Sequence, residues 1–128
     1  MIGLVVVSHS DKAAEGICDI AAQMGGGNAR IEAAGGDGDG GIGTNANRIE
    51  EALETADDGD GVVVLVDLGS AVMNTELAME MTDTEAVIAD APILEGALEA
   101  AVESTSSKAT LDSVVESAEG AREYRKLN

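Results

Sequence analysis

Aromatic residues are almost missing from this chain of 128 residues, which has one tyrosine and no phenylalanine or tryptophan. Its interior must therefore be built from aliphatic side chains and alanine, which allow helices to lie close to a sheet. There is a single cysteine, Cys18, so no internal disulfide can form, and a reducing compartment is expected. Cys18 lies on the apolar stripe of the first predicted helix, and we interpret it as a small core residue.

Basic residues are also scarce: seven lysines and arginines stand against 25 acidic residues, and the net charge is −18. Such a surface repels phosphate backbones and anionic lipids, which argues against nucleic acid or a membrane as a partner. Self-repulsion weakens at roughly 1 M salt, where the screening length is about 3 Å, so the composition indicates a salt-rich cytosol. No secretory leader and no apolar run of membrane-spanning length is visible, and a cytoplasmic protein is expected.

Short apolar runs alternate with segments of helical periodicity along the chain. Strands are predicted at 2–7, 29–34, 61–68 and 85–91, and helices at 11–24, 46–56, 70–82, 92–104 and 110–124. We expect one α/β domain over residues 1–128 with three layers, in which helices cover both faces of a mostly parallel sheet of about four strands. The first and third strands have the longest apolar runs and should be central, which gives a flavodoxin-like order 2-1-3-4. In such sheets ligands bind at the carboxyl ends of the strands where the order reverses.

The only histidine, His9, follows the first strand at this edge. A lone histidine is by default a surface or satisfied core residue, but the helix that begins beside it favours an anion near the ring. A neutral imidazole is a competent nucleophile or base. Asp67 ends the third strand, where its carboxylate can accept the Nδ1 proton of His9 and leave Nε2 to attack. Alternatively, Asp67 caps the next helix, which is the commoner use of aspartate at such a joint, and both roles can hold together.

A glycine-rich loop, GGDGDGGIGTN at 35–45, lies at the same predicted edge. It contains a formal match to the G-x-G-x-x-G dinucleotide fingerprint, which we discount because the loop follows the second strand and carries two aspartates that repel phosphate. We predict instead that loop amides and a hydroxyl bind one phosphoryl group on His9; the alternative is a flexible loop without a ligand. The predicted phosphoryl-binding residues are Gly41, Gly43, Thr44, Asn45 and Ser70. No metal site is predicted, since one histidine and one cysteine make zinc improbable.

Four ordered segments resemble the mannose-type enzyme IIA family of the phosphoenolpyruvate-dependent phosphotransferase system: GLVVVSHS, AAGGDGDGGIGTN, VVLVDLGSAVMNTELA and DAPILEGA. They extend from residue 3 to about 100, and their combination is specific although each alone is weak. DLGSA and GTN favour the branch of the family that serves dihydroxyacetone kinase. The resemblance implies that His9 is phosphorylated by the carrier HPr. It also implies that the phosphoryl group passes to ADP held by the subunit DhaL, and that the ATP so formed phosphorylates dihydroxyacetone on DhaK.

The resemblance further implies a phosphotransferase with no cofactor on this chain, a separate donor protein and a homodimer. Two alternatives stay open: an enzyme IIA domain of a mannose-type sugar transporter, and a non-catalytic module whose glycine loop binds a nucleotide. The acidic surface departs from the balance of acidic and basic residues that is usual in the family, and it opposes the docking of another acidic protein. We therefore expect exposed apolar residues at the rim, namely Leu68, Val72 and Met73, to form the contact surface.

Overall fold

The computed structural model describes residues 1–127, which form a four-stranded parallel sheet in the order β2-β1-β3-β4. The strands are β1 (Gly3–Ser8), β2 (Arg30–Gly35), β3 (Val62–Val66) and β4 (Ala86–Ile88). The helices are α1 (Asp11–Met24), α2 (Ala46–Ala56), α3 (Gly69–Glu80), α4 (Ile93–Ser104) and α5 (Leu111–Gly120), followed by a 3-10 turn at Ala121–Glu123. The predicted fold class and strand order are confirmed.

Two hydrophobic clusters cover the opposite faces of the sheet. On one face, Leu4 and Val6 of β1 pack under α1, α4 and α5; on the other face, Val5 and Val7 pack under α2 and α3. The helices contribute many alanines to these clusters, and such small side chains let the helices lie close to the sheet. The two central strands are buried on both faces, except that Val66 at the end of β3 is half-buried.

Cys18 packs in the cluster beneath α1, so its interpretation as a core residue is confirmed. Burial, and then the nearby carboxylates of Glu32, Asp19 and Glu15, raise the pKa of its thiol to about 12. The thiol therefore stays protonated near neutral pH, and the reactive thiolate form is scarce.

The fourth strand is shorter than the sequence predicts. A strand was expected over 85–91, but β4 covers only Ala86–Ile88 at the sheet edge. The sequence predicted Pro92 as the first residue of the next helix, but α4 begins at Ile93 and Pro92 is its N-cap residue. The amide of Ala89 still donates to the carbonyl oxygen of Val64, but the amide of Asp90 donates to the side chain of Glu119. The chain therefore leaves the strand ladder after Ala89. Among residues 1–127, no helix combines the length and apolar character that crossing a bilayer requires.

The pairing of β1 with β3 fixes the position of the polar groups at the carboxyl edge. The two strands are parallel and adjacent, with Val7 opposite Val66. The residues that follow, Ser8 and His9 on one strand and Asp67 on the other, therefore leave the sheet side by side. Each strand is followed almost directly by a helix, α1 or α3, whose amino terminus lies at this edge.

Candidate active site

His9 and Asp67 meet where β1 and β3 end. The Nδ1 atom of His9 lies 2.9 Å from Oδ1 of Asp67. The second carboxylate oxygen, Oδ2, accepts two hydrogen bonds of 2.9 Å, one from the backbone amide of His9 and one from the hydroxyl of Ser8. The side chains of His9 and Asp67 are 20% and 21% exposed. The carboxylate therefore fixes both the ring and the backbone of the histidine while the site stays open to solvent.

Asp67 stays ionised in this setting. Partial burial opposes its charge, but the hydrogen bonds from the amide and ring of His9 and from Ser8 outweigh it and lower the pKa of the carboxyl below 3.8. An ionised carboxylate can only accept hydrogen bonds. We therefore assign the proton of the neutral imidazole to Nδ1 and the lone pair to Nε2, which makes Nε2 the nucleophilic atom.

Ser70, the second residue of α3, contacts that nitrogen: its Oγ lies 2.5 Å from Nε2 of His9. The N-cap residue of α3 is Leu68, and no side chain caps this helix among the described residues. The alternative in which Asp67 caps α3 is therefore wrong. Because the side chain of a leucine cannot accept hydrogen bonds, the first amides of α3 lack a side-chain acceptor, and the helix dipole favours an anion there.

The glycine loop lies against His9 but uses several of its polar groups internally. The amide of Gly43 donates to the carbonyl oxygen of His9 at 2.9 Å, and the amide of Gly41 donates to Oδ1 of Asp37 at 2.9 Å. The side chain of Asn45 caps α2 by accepting bonds from two amides of its first turn. These groups already have partners, so a phosphoryl contact with them stays a prediction that requires the loop to rearrange.

Thr44 is tied to α3 by Asn74, a residue that sequence reasoning missed. Nδ2 of Asn74 donates to Oγ1 of Thr44 at 2.5 Å. Because the threonine oxygen accepts this bond, its own hydroxyl proton is left for donation to another group. Asn74 lies one helical turn after Ser70 on the same face of α3, and this spacing is the signal that could have identified it. Ser8 was also missed, although a small polar residue at the buried end of a strand is a similar signal.

An open cavity of about 450 Å³ lies beside the site, between the start of α3 and the connection from β4 to α4. Asp67 lines it, together with apolar side chains that include Leu68, Val72 and Ile88. Of the predicted contact residues, Leu68 and Met73 are 62% and 72% exposed, and Val72 is half-buried. Within residues 1–127, no group of three or more histidine, cysteine, aspartate or glutamate side chains is arranged to hold a metal ion.

Comparison with known proteins identifies relatives along most of the chain. The family model described as "PTS system fructose IIA component" matches residues 3–115. The phosphoryl donor subunit DhaM of PEP-dependent dihydroxyacetone kinase 2 from Listeria innocua is 42% identical over 108 residues, which are 81% of this chain and 86% of the relative. The DhaM subunit of Escherichia coli is 38% identical over 122 residues, which are 90% of this chain but 26% of that longer protein.

Two solved structures share the fold. A protein of unknown function superposes with a TM-score of 0.85 at 30% identity and covers 99% of this chain and 98% of its own. The phosphotransferase system component EIIA from Streptococcus agalactiae has a TM-score of 0.69 at 21% identity, covering 96% of this chain and 93% of its own, and this likeness shows the fold alone. The matches to the family model and to the DhaM relatives cover most of the chain. The chain therefore belongs to the mannose-type enzyme IIA family, the PTS system fructose IIA components.

Proposed function

We propose that this chain is the phosphoryl donor of a phosphoenolpyruvate-dependent dihydroxyacetone kinase. His9 accepts a phosphoryl group from an HPr-type carrier and passes it to ADP on a DhaL-type subunit, which works with a DhaK-type subunit. The observation that carries the proposal is the histidine held between Asp67 and Ser70, with Nδ1 on the carboxylate and Nε2 facing the start of α3. The DhaM relatives, named as phosphoryl donor subunits, support it.

In the first step, the lone pair of Nε2 attacks the phosphorus atom of the carrier's phosphohistidine. A new P–N bond forms on His9 while the P–N bond of the carrier breaks. Asp67 accepts the Nδ1–H bond throughout and stabilises the positive charge that develops on the ring. The first amides of α3 lie where they can stabilise the phosphoryl oxygens in a loose transition state.

In the second step, the phosphoryl group moves from His9 to the terminal phosphate of the nucleoside diphosphate. Because Nδ1 keeps its proton, the phosphorylated ring is cationic and leaves as a neutral imidazole. A neutral leaving group keeps the P–N bond labile, and the ionised Asp67 balances the charge of the ring before transfer. The hydrogen bond from Nδ1 of His9 to Asp67 therefore assists both the gain and the loss of the phosphoryl group.

The glycine loop is poorly suited to bind a nucleotide. The backbone amides of Asp39 and Gly41 donate to the carboxylate of Asp37 and lower its pKa, so a negative charge persists inside the loop. This charge repels a diphosphate. We therefore place the nucleotide on the acceptor subunit and not on this chain.

Further features belong to the same proposal. The chain acts as a single enzyme IIA domain over residues 1–128, in the cytoplasm, as a homodimer and without a cofactor of its own. Donor and acceptor proteins dock on the rim around His9, where Leu68, which lines the cavity, and Met73 of α3 offer exposed apolar surface. Apolar contact is the favourable interaction that remains when both docking proteins carry like charge.

Phosphoryl transfer in high salt tests the proposal. The chain is mixed with phosphoenolpyruvate, enzyme I and HPr, and acid-labile phosphate is followed by intact mass, with His9→Ala as the variant and Ser107→Ala, an exposed remote site, as the matched control. We expect labelling that His9→Ala abolishes and that nucleotide-loaded DhaL discharges. No labelling by cognate partners would overturn the proposal, and discharge only to a transporter IIB protein would select the sugar-transporter alternative.

A further inference from the structure

The hydroxyl of Ser70 occupies the position on His9 that a phosphoryl group needs. Its oxygen lies 2.5 Å from Nε2. A phosphorus atom bonded to Nε2 must lie along the lone pair of that nitrogen, so the hydroxyl and the phosphoryl group cannot share this position. Ser70 is exposed near the start of α3, and an exposed side chain changes rotamer within nanoseconds.

The direction of this hydrogen bond follows from Asp67. The carboxylate is ionised and accepts from Nδ1, so Nε2 of the neutral ring has no proton and must accept. The hydroxyl of Ser70 is therefore the donor. The other two hydroxyls flanking His9 in the chain have other partners: Ser8 donates to Asp67, and Ser10 accepts from the amide of Ala13.

We propose that Ser70 masks the nucleophile of the resting chain, an inference that rests on the proposed role of His9. While the hydroxyl donates to Nε2, the lone pair that would attack phosphorus is engaged, and the bond must break before the ring can react. Once His9 carries a phosphoryl group, the hydroxyl rotates and donates to a phosphoryl oxygen instead. Ser70 thus lowers the reactivity of the free histidine and prolongs the lifetime of the phosphorylated one.

A small electrophile tests the mask without any partner protein. Diethylpyrocarbonate transfers an ethoxycarbonyl group to a neutral imidazole: an N–C bond forms while a C–O bond of the anhydride breaks. The ethyl carbonate that leaves takes up the ring proton and decomposes to ethanol and carbon dioxide. The chain has a single histidine, so the absorbance of N-carbethoxyhistidine reports His9 alone. Rates are measured in high salt across pH, and the alkaline plateau is compared, where the imidazole is neutral.

We expect Ser70→Ala to react about two- to tenfold faster than the unmodified chain at that plateau, the factor that corresponds to one ordinary hydrogen bond. Ser70→Thr, which keeps a hydroxyl, should stay at the slow rate, as should the remote control Ser107→Ala. After phosphorylation through HPr, Ser70→Ala should lose its phosphoryl group faster. Circular dichroism during thermal unfolding verifies that each variant is folded.

Either of two results overturns the inference: a plateau rate of Ser70→Ala at or below that of the unmodified chain, or a rate of Ser70→Thr equal to that of Ser70→Ala. The outcome is independent of the proposed function. Carbethoxylation needs no carrier protein, so a failure of HPr to phosphorylate His9 would refute the phosphoryl-donor role and leave the reagent kinetics readable. Conversely, normal phosphorylation of His9 with unchanged reagent kinetics would refute the mask alone.

Discussion

Replacing Asp67 with asparagine tests how the histidine is oriented. An asparagine has one acceptor oxygen and one amide donor, whereas the carboxylate accepts three bonds of 2.9 Å from Ser8 and His9. If the oxygen keeps the bonds from the Ser8 hydroxyl and the His9 amide, the new NH₂ group faces Nδ1. Nδ1 must then become an acceptor, and the ring proton moves to Nε2. The nucleophilic lone pair is lost although the ring stays in place.

We expect Asp67→Asn to change the free energy of unfolding only modestly and the phosphorylation rate strongly. Hydrogen bonds to a charged group contribute about 1.5–3 kcal/mol each, and neutral ones about 0.5–1.5 kcal/mol. Three weakened bonds would lower the free energy of unfolding by about 3 kcal/mol, and partial exposure of Asp67 reduces this to about 2 kcal/mol. The phosphorylation rate should fall much further, by about 10²- to 10⁴-fold, because the wrong tautomer predominates.

Two further variants make the test specific. Asp67→Ala removes the orienting group without placing a donor against Nδ1, so it should be less stable than Asp67→Asn yet become phosphorylated faster. Asp83→Asn removes an exposed carboxylate between α3 and β4, at the opposite edge of the sheet, and should leave the rate unchanged. Urea unfolding, HPr-dependent labelling and the ¹⁵N chemical shifts of the ring give the three readouts. Asp67→Asn labelling at the rate of the unmodified chain, or no slower than Asp67→Ala, would refute the tautomer assignment.

The pH dependence of stability provides a second check on the same carboxylate. Its pKa in the folded chain is lowered below 3.8, so its stabilising effect is fully present above that pH. The effect is lost as the pH falls through the folded pKa. The part of the stability difference between the unmodified chain and Asp67→Asn that comes from the ionised carboxylate should therefore be present at neutral pH and be lost in solutions more acidic than pH 3.8, as measured by urea unfolding.

Four other variants or conditions have defined outcomes. Asn74→Ala should slow phosphoryl transfer severalfold with little loss of thermal stability, because it frees Thr44 from α3; an unchanged transfer rate would contradict a role for this bond. Gly35→Ala should destabilise by about 1–3 kcal/mol, since its Cβ would lie 2.6 Å from the carbonyl oxygen of the α1 N-cap. Gly16→Ala, whose Cβ meets nothing within 4 Å inside α1, should instead stabilise by about 1 kcal/mol in the same urea titration. The Cys18 thiol, with its pKa raised to about 12, should resist alkylation at mildly alkaline pH until the chain unfolds; rapid labelling of the folded chain would contradict its burial.

The strand order and the meeting of His9 with Asp67 could be predicted because one physical requirement determines both. Continuous apolar runs avoid water only in the centre of a covered sheet, so β1 and β3 had to be central. Two central parallel strands then bring the residues at their carboxyl ends together. The strand order and the proximity of His9 to Asp67 can therefore be predicted from the pattern of apolar residues alone, before any side-chain geometry is known.

The polar contacts of the loop could not be predicted in the same way. An amide such as that of Gly41 or Gly43 can bond to a ligand or to a nearby carbonyl or carboxylate with similar energy. Composition does not distinguish these partners, and here the partners are Asp37 and the carbonyl of His9. The bond from Asn74 to Thr44 joins residues 30 positions apart, and it depends on the rotation of α3 against the loop.

The site is built on the ends of two strands that pair directly, and this has a consequence for its motion. Val7 and Val66 are partners in the ladder, and the ring and its carboxylate follow them within two residues. For the backbones of His9 and Asp67 to separate, the central strand pair must open, and such openings require free energies close to that of global unfolding. A carrier built in this way presents the same ring geometry to its donor and to its acceptor, because docking of either partner cannot displace the strands that define it.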